Sequence, residues 1–286
     1  MIPTEEWLRI MNQQFRKANI HPRQRPFRAV EEFSKQFKCS VAIPSQTANV
    51  IFDWFKKNTL EGSQIIGALF RGTYYFDSVF WPVYIPIGYG QFLLNAFSSL
   101  ETMPDNFKKQ IEADRMELWN YVLLWVDCLD YAYGYDDLIK DSLFSNLAGN
   151  FMKSGNNELT AAVCMLLQQN PESKAIGSCR MVVEMFLKSI IINRASWSEK
   201  QVRNRTGHDL IKAAVEVINI TGNTELEKLK VEYSFFPEIH DRYSGKVWSP
   251  INLWRGYCLA QATATIFTRM YSDRDTRNQI MNNNRF

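Results

Sequence analysis

Arg203 and His208 are the residues of this sequence whose chemical types are best suited to acid–base chemistry on a phosphate. An imidazole exchanges protons near neutral pH. A guanidinium is a permanent positive charge that stabilises negative charge developing on phosphate oxygens. Four residues separate the two, and the polar Asn204 directly follows the arginine. Such a pair could act on a phosphate-containing substrate without a metal ion.

The spacing has a second interpretation, because Arg16 and His21 are separated by the same number of residues in an unrelated segment. His208 stands close to the start of a predicted helix, where Thr206 is placed to cap the chain and Asp209 favours the positive end of the helix dipole. In this interpretation, His208 is a capping or core-edge residue in the first helical turn.

The preceding predicted helix carries Glu184 and Lys188, four residues apart, which is the spacing of a surface or half-buried ion pair. Apolar residues recur around them at steps of three and four, so this helix packs in a core. These residues are Met181, Val182, Met185, Phe186, Ile190 and Ile191.

The segment 179–218, with Glu184, Leu187, Lys188 and then Gly207-His208-Asp209-Leu210, resembles the signature of HEPN domains. These are helical bundles that include metal-independent ribonucleases and many inactive relatives. The resemblance covers residues 105–274 at most, and it includes Arg242-Tyr243-Ser244 before the final helix. It implies a HEPN-like bundle in which Glu184, Lys188 and Asp209 are structural.

In catalytic HEPN proteins, an arginine followed by a histidine four to six residues later forms a ribonuclease site across a dimer. Arg203 and His208 match that spacing, and the nucleophile would be the 2′-hydroxyl of the RNA itself. The family's catalytic pair, however, normally lies around the start of the last helix of the bundle. The predicted last helix, 251–271, contains no histidine, which favours a non-catalytic member.

Basic residues near this motif predict contact with RNA or a nucleotide. Lys200, Arg203 and Arg205 offer charge neutralisation and Trp197 offers a stacking face, while Arg242 belongs to a polar cluster beside the last helix. The alternative is an ordinary exposed connection between helices. The basic stretch 21–26 also has two interpretations, as a second basic patch or as a hinge between domains.

The whole chain reads as an all-α protein with an N-terminal helical region, 1–104, followed by a HEPN-like helical bundle, 105–286. The aromatic segment 72–90 is expected to form one or two short strands or a loop, and residues 152–157 to form a turn. Helices are expected at 4–18, 25–37, 46–57, 105–132, 158–169, 224–233 and 251–271, besides the two helices of the HEPN-like motif.

The composition of the chain indicates the cellular compartment in which the protein folds. The 286 residues carry a net charge of +3 and five cysteines without a CxxC pair, which suggests a reducing, cytoplasmic compartment. No sequence pattern predicts a metal or another cofactor. The uncharged stretch 79–97 is long enough for a membrane span, but its prolines and glycines argue against one.

Two groups of aspartates have competing interpretations. Asp136, Asp137 and Asp141 resemble the first metal motif of helical isoprenoid synthases, with Asn150, Ser154 and Glu158 as the second. These motifs lie too close together for two facing sites, and Gly155 suggests that Ser154 and Glu158 occupy different helices. Asp127 and Asp130 fall in an apolar stretch, so we expect at least one to be partly buried and paired.

These observations predict a non-catalytic HEPN-like protein that forms a homodimer, as the resemblance implies, and that binds RNA, a nucleotide or a partner protein in a defence or regulatory system. The alternative is a metal-independent endoribonuclease, a toxin or an antiviral effector, that uses Arg203 and His208. No membrane association is expected in either case.

Overall fold

A computed structural model describes residues 1–43, 45–59, 68–87, 94–140, 143–239 and 245–283. The α-helices are α1 (Glu5–Lys17), α2 (Arg25–Phe37), α3 (Gln46–Asn58), α4 (Asp105–Ala113), α5 (Arg115–Lys140), α6 (Asn146–Leu166), α7 (Ala175–Ala195), α8 (Glu199–Thr206), α9 (Leu210–Thr221), α10 (Thr224–Leu229), α11 (Pro250–Tyr271) and α12 (Thr276–Asn283). The strands are β1 (Phe70–Phe76) and β2 (Val79–Ile85).

The fold is mainly helical, as the sequence predicted. Helices hold 71% of the residues and strands 5%, so the all-α class is confirmed. The aromatic segment forms an antiparallel hairpin, in which Phe70 pairs with Ile85 and Phe76 with Val79. Aromatic and β-branched residues favour such a pleated, half-buried surface.

The chain divides into two compact units. The smaller contains residues 1–68 and 86–94, and the larger contains residues 69–85 and 95–286. By its packing, the hairpin therefore belongs with the helical bundle, whereas the sequence grouped residues 1–104 together. The reason is that Phe70 and Tyr74 of β1 pack their rings against Tyr131 and Tyr121 of α5.

The smaller unit is built from α1, α2 and α3 around one apolar core. Side-chain oxygens of Thr4 and Ser45 cap α1 and α3 by accepting hydrogen bonds from backbone N–H groups, which satisfies donors that a helix start leaves unpaired. The buried residues recur at helical spacing. They are Leu8, Met11, Phe15, Ala29, Val30, Phe33, Ala48, Ile51 and Phe55.

The larger unit has α7 at its centre, packed against α6, α9 and α11, while α5 packs on α11. Most of α7 is buried, so polar side chains on this helix must find partners inside the protein. The loop after α7 leads to α8 and α9, and residues 207–209 connect these two helices.

Two predictions about α6 are wrong. Residues 152–157 are not a turn but part of the continuous helix α6, and Ser154 and Glu158 share that helix. Gly155 is buried there, and a Cβ atom at its position would lie 3.0 Å from the ring of Phe186 on α7. The glycine thus permits close helix packing rather than a turn.

The predicted helix 105–132 is two helices, because Asp114 separates α4 from α5. Its Oδ1 atom accepts hydrogen bonds from the backbone N–H groups of Met116 and Glu117, which starts a new helix. The sequence also missed α12, whose docking depends on side chains of α5 far away in the chain.

No helix in the described ranges is long and apolar enough to cross a membrane.

Candidate functional site

Glu184 lies at the centre of a buried ionic cluster on α7. Its Oε2 atom accepts a hydrogen bond from Nη1 of Arg180 at 2.8 Å, and its Oε1 atom accepts one from Nζ of Lys188 at 2.6 Å. The three side chains stand one helical turn apart, and all are buried. The pair of Glu184 and Lys188 is therefore more deeply buried than its spacing suggested.

The cluster keeps Glu184 ionised. Burial by itself raises the pKa of a carboxyl group, but Lys188, His208 and Arg180 favour the charged form through hydrogen bonds, and Lys188 also through its charge. These interactions prevail, and the pKa of Glu184 lies below its ordinary value.

A short connection between α8 and α9 brings His208 to this cluster. Thr206 is the last residue of α8, Gly207 adopts a φ of +57°, and Asp209 caps α9 by accepting a hydrogen bond from the backbone N–H of Lys212. The left-handed backbone favours glycine. Thr206 therefore ends one helix instead of starting the next, and His208 lies between helices instead of in a first turn.

Arg180 holds the connection between α8 and α9 against α7. Its guanidinium donates hydrogen bonds to the backbone carbonyl of His208 and, at 3.0 Å, to that of Pro237. One buried side chain thus links α7 to the loop before α9 and to the segment before α11. Each of the three guanidinium nitrogens donates to a different residue, Glu184, His208 or Pro237, and this explains why an arginine suits the position.

The side chain of His208 is about half exposed to solvent. Its Nδ1 atom lies 2.9 Å from Oε1 of Glu184, while 56% of the side chain is exposed. If Nδ1 carries the proton that it shares with Glu184, Nε2 is a hydrogen-bond acceptor. A buried carboxylate that orients an exposed imidazole is an arrangement able to move a proton.

Arg203 does not join His208 in the structure. It is exposed on α8, and its side chain has no hydrogen bond or ion pair with any described residue; its backbone carbonyl accepts from the N–H of Gly207. The arginine that contacts His208 is Arg180, which the sequence did not single out. Its position four residues before Glu184 was the available signal.

The other predicted binding residues lie on or beside α8. Lys200 and Arg205 are exposed, and the guanidinium of Arg205 lies 4.2 Å from the centroid of the Trp197 ring. That cation–π contact occupies one face of the indole. Arg242 and the neighbouring His240 lie outside the described residues.

A second buried ionic cluster joins α5, α11 and α12. Arg269 donates to Asp127 at 2.7 Å and to Asp130 at 2.7 and 2.9 Å, and Arg277 donates to both carboxylate oxygens of Asp127. The expectation that at least one of Asp127 and Asp130 is buried and paired is confirmed, since both are. Such a network holds elements together, and its geometry leaves the carboxylates engaged by arginines.

The described residues contain no candidate metal site, since no group of three or more His, Cys, Asp or Glu side chains among them could hold an ion. Asp137 pairs with Arg274 at 2.8 Å, and Asp141 lies outside the described residues.

Comparison of the chain with protein families, with curated proteins and with solved structures finds no match in any of the three.

Proposed function

We propose that this chain is a non-catalytic HEPN-like protein that binds RNA through the α8 surface, defined as Lys200, Arg203, Arg205 and Trp197. The observation that carries the proposal is the absence of acidic partners: none of the three cations forms an ion pair with a described residue. Cations that are already exposed and unpaired can bind phosphates without first breaking a protein contact.

The buried cluster supports this role by fixing the surface. Glu184 and Arg180 tie the connection after α8 to α7, so the end of α8 is held by buried contacts. A phosphate-binding surface supported in this way loses little conformational entropy on binding. Arg205, stacked on Trp197, can present its outer guanidinium face to an unstacked base.

The test is a comparison of two charge-matched variants for binding to a short fluorescein-labelled oligouridine. Lys200→Gln with Arg203→Gln removes two cations from the α8 surface. Lys153→Gln with Lys228→Gln removes two exposed lysines from α6 and α10. The first variant should weaken binding several-fold and reduce the salt dependence, the slope of log K against log salt, by about 1.4 for two phosphate contacts.

The control variant should keep the wild-type slope. Equal losses in both variants would show that net charge alone attracts RNA, and unchanged binding in the first variant would contradict the proposal. Circular dichroism of both variants checks that the helices are intact.

A metal-independent endoribonuclease is the second candidate, and the specific observation in its favour is the Glu184–His208 contact. A free Nε2 atom can accept the proton of a 2′-hydroxyl, whose oxygen then attacks the adjacent phosphate and expels the 5′-oxygen of the next nucleotide, and this leaving oxygen takes up a proton from water. The products are a cyclic phosphate end and a 5′-hydroxyl end. In this function, Arg203 supplies positive charge only if it moves toward the ring.

Incubation of purified protein with RNA and EDTA separates the two functions. If His208 acts as a base, wild-type protein should leave cyclic phosphate ends, and His208→Ala should lower the rate by about 100-fold or more. The control is His21→Ala, at the other histidine with an arginine five residues before it. Absence of cleavage by wild-type protein would leave RNA binding as the function.

Homodimer formation and a partner in a defence or regulatory system remain predictions of the HEPN-like interpretation. Light scattering on the full chain measures the first directly.

A further inference from the structure

The smaller unit carries the positive charge of the whole chain. Residues 1–68 contain ten Lys and Arg against six Asp and Glu, and residues 86–94 contain none of these. The remaining 23 basic and 24 acidic residues of the chain belong to the larger unit. The net charge of +3 is therefore a sum of a basic unit and a nearly neutral one.

The three helices of this unit alternate in direction. The ring of Trp7 on α1 lies 5.2 Å from that of Phe33 on α2, so the start of α1 meets the second half of α2. The ring of Phe27 on α2 lies 5.2 Å from that of Phe52 on α3, so the start of α2 meets the second half of α3. Both neighbouring pairs are antiparallel.

The first and third helices accordingly point the same way. At their starts, the hydroxyl of Thr47 donates to the backbone carbonyl of Met1 at 2.7 Å. The last turns of α1 and α3 and the first turn of α2 must therefore lie at one end of the unit.

That end is strongly basic. The last turn of α1 carries Arg16 and Lys17, and the last turn of α3 carries Lys56 and Lys57. All four are exposed, and none forms an ion pair with a described residue. We call these four residues the basic end. Asp53 stands one turn before Lys57, but no ion pair joins these two described side chains.

Two cations toward the opposite end are paired with carboxylates. Arg9 pairs with Glu5 at 3.1 Å, and Lys35 pairs with Glu31 at 2.7 Å. These two cations are neutralised within their own helices, whereas the four cations of the basic end form no ion pair with a described residue.

Helix dipoles explain part of this pattern, because basic residues in a last turn stabilise a helix by about 0.3 to 1 kcal/mol each. They do not explain the start of α2. Its first turn has no acidic residue and instead carries Arg25 and Arg28, where the dipole disfavours a cation. Arg28 is paired with Glu31 at 2.9 Å, whereas Arg25 donates only to neutral oxygens, those of Ile20 and Asn12. Burial and the nearby charge of Arg16 lower the pKa of Arg25, so cations gather here against their mutual repulsion.

A local conflict of this kind is expected where function requires it. A ligand with several regularly spaced negative charges would relieve the repulsion between these cations, and the phosphate backbone of a nucleic acid is such a ligand. We infer that the basic end is a second RNA-binding surface, which contacts the phosphate backbone without reading sequence. The inference rests on the proposed function for the choice of RNA as the polyanion.

Charge-matched variants of the full chain test it, with the short fluorescein-labelled oligouridine as probe. Lys56→Gln with Lys57→Gln, and Arg16→Gln with Lys17→Gln, each remove two cations from the basic end. Each should weaken binding several-fold and lower the salt slope by about 1.4. Arg9→Gln with Lys35→Gln removes the same charge from the opposite end and should leave the slope unchanged.

Lys200→Gln with Arg203→Gln separates this inference from the proposed function. Loss of RNA binding in that variant, with wild-type binding in both basic-end variants, would overturn the inference and keep the α8 surface. Loss in the basic-end variants alone would support the inference and overturn the α8 surface.

Two further outcomes overturn the inference. One is an equal loss of binding in Arg9→Gln with Lys35→Gln, which would make the effect one of net charge. The other is binding of wild-type protein to phosphatidylserine vesicles without any binding to the oligouridine, which would identify a membrane surface as the polyanion. Circular dichroism of each variant should show the wild-type helix content, and thermal unfolding should be only slightly less favourable than in wild type, because the substituted side chains are exposed and each contributes at most about 1 kcal/mol.

Discussion

At the scale of single residues, the cluster around Glu184 combines stability with access to solvent. Arg180 and Lys188 share this one carboxylate inside the protein, while the ring that it holds, that of His208, is half exposed. The carboxylate thus neutralises two buried cations and also orients an imidazole that faces solvent. Removal of its charge should affect both.

We expect Glu184→Gln to lower the free energy of unfolding by about 3 to 5 kcal/mol, because it leaves two buried cations without a counter-charge. Urea denaturation followed by circular dichroism measures this loss. Glu238→Gln, at an exposed glutamate, is the control and should stay within about 0.5 kcal/mol of wild type. A similarly small change in Glu184→Gln would mean that the cluster does not hold the fold together.

At the scale of elements, two glycines of α6 differ in their surroundings. A Cβ atom at Gly155 would lie between 3.0 and 3.2 Å from ring atoms of the fully buried Phe186. At Gly149, the nearest atom would be the Cβ of Phe144 at 3.8 Å, an ordinary contact. The same substitution in one helix therefore separates packing from helix propensity.

Gly155→Ala should destabilise the protein by about 1 to 3 kcal/mol, since the ring of Phe186 is packed against Tyr131 and Phe267 and has little room to move. Gly149→Ala should stabilise it by up to about 1 kcal/mol through helix propensity. Thermal unfolding of both variants provides the measurement. Stabilisation by both would show that α6 and α7 can separate slightly at low cost.

At the scale of the whole molecule, buried ion pairs make stability depend on pH. The pKa of Glu184 is lowered in the folded protein, so its contribution is fully present above the ordinary carboxyl pKa of about 4.3. The contribution is lost as the pH falls through the lower pKa of the folded state.

Wild-type protein should accordingly lose more stability than Glu184→Gln when the pH falls from about 6 to about 3, since only the wild type must protonate this carboxylate. Urea midpoints measured across this range give the comparison, and other titrating groups largely cancel between the two proteins. Parallel curves would mean that Glu184 has the same pKa in the folded and unfolded chain.

Local features were predictable from the sequence, because they depend on neighbours within one or two helical turns. The bounds of α2 agree with the expected helix 25–37, and those of α1, α3 and α11 agree within one residue. The ionic spacing of Glu184 and Lys188 was also visible, and so was the need of Asp127 and Asp130 for partners. Periodicity, capping residues and four-residue spacing carry this information.

Contacts between distant residues were decided by the tertiary structure alone. Asp127 meets Arg269 across 142 residues of chain, and Glu184 meets His208 across 24. The sequence indicated a turn at Gly155, whereas the contact with Phe186 on α7 shows that this glycine permits close helix packing. The charges of the basic end come from two helices whose last turns are about 40 residues apart in the sequence.

The sequence by itself therefore determined the helical class, the bounds of α1, α2, α3 and α11 and the residue types available for phosphate chemistry. Tertiary packing decided that Arg180 rather than Arg203 meets His208, and that Arg16, Lys17, Lys56 and Lys57 share one end of a unit. The physical reason is that backbone preferences act locally, whereas the partner of a buried charge is set by which helix faces come together in the core.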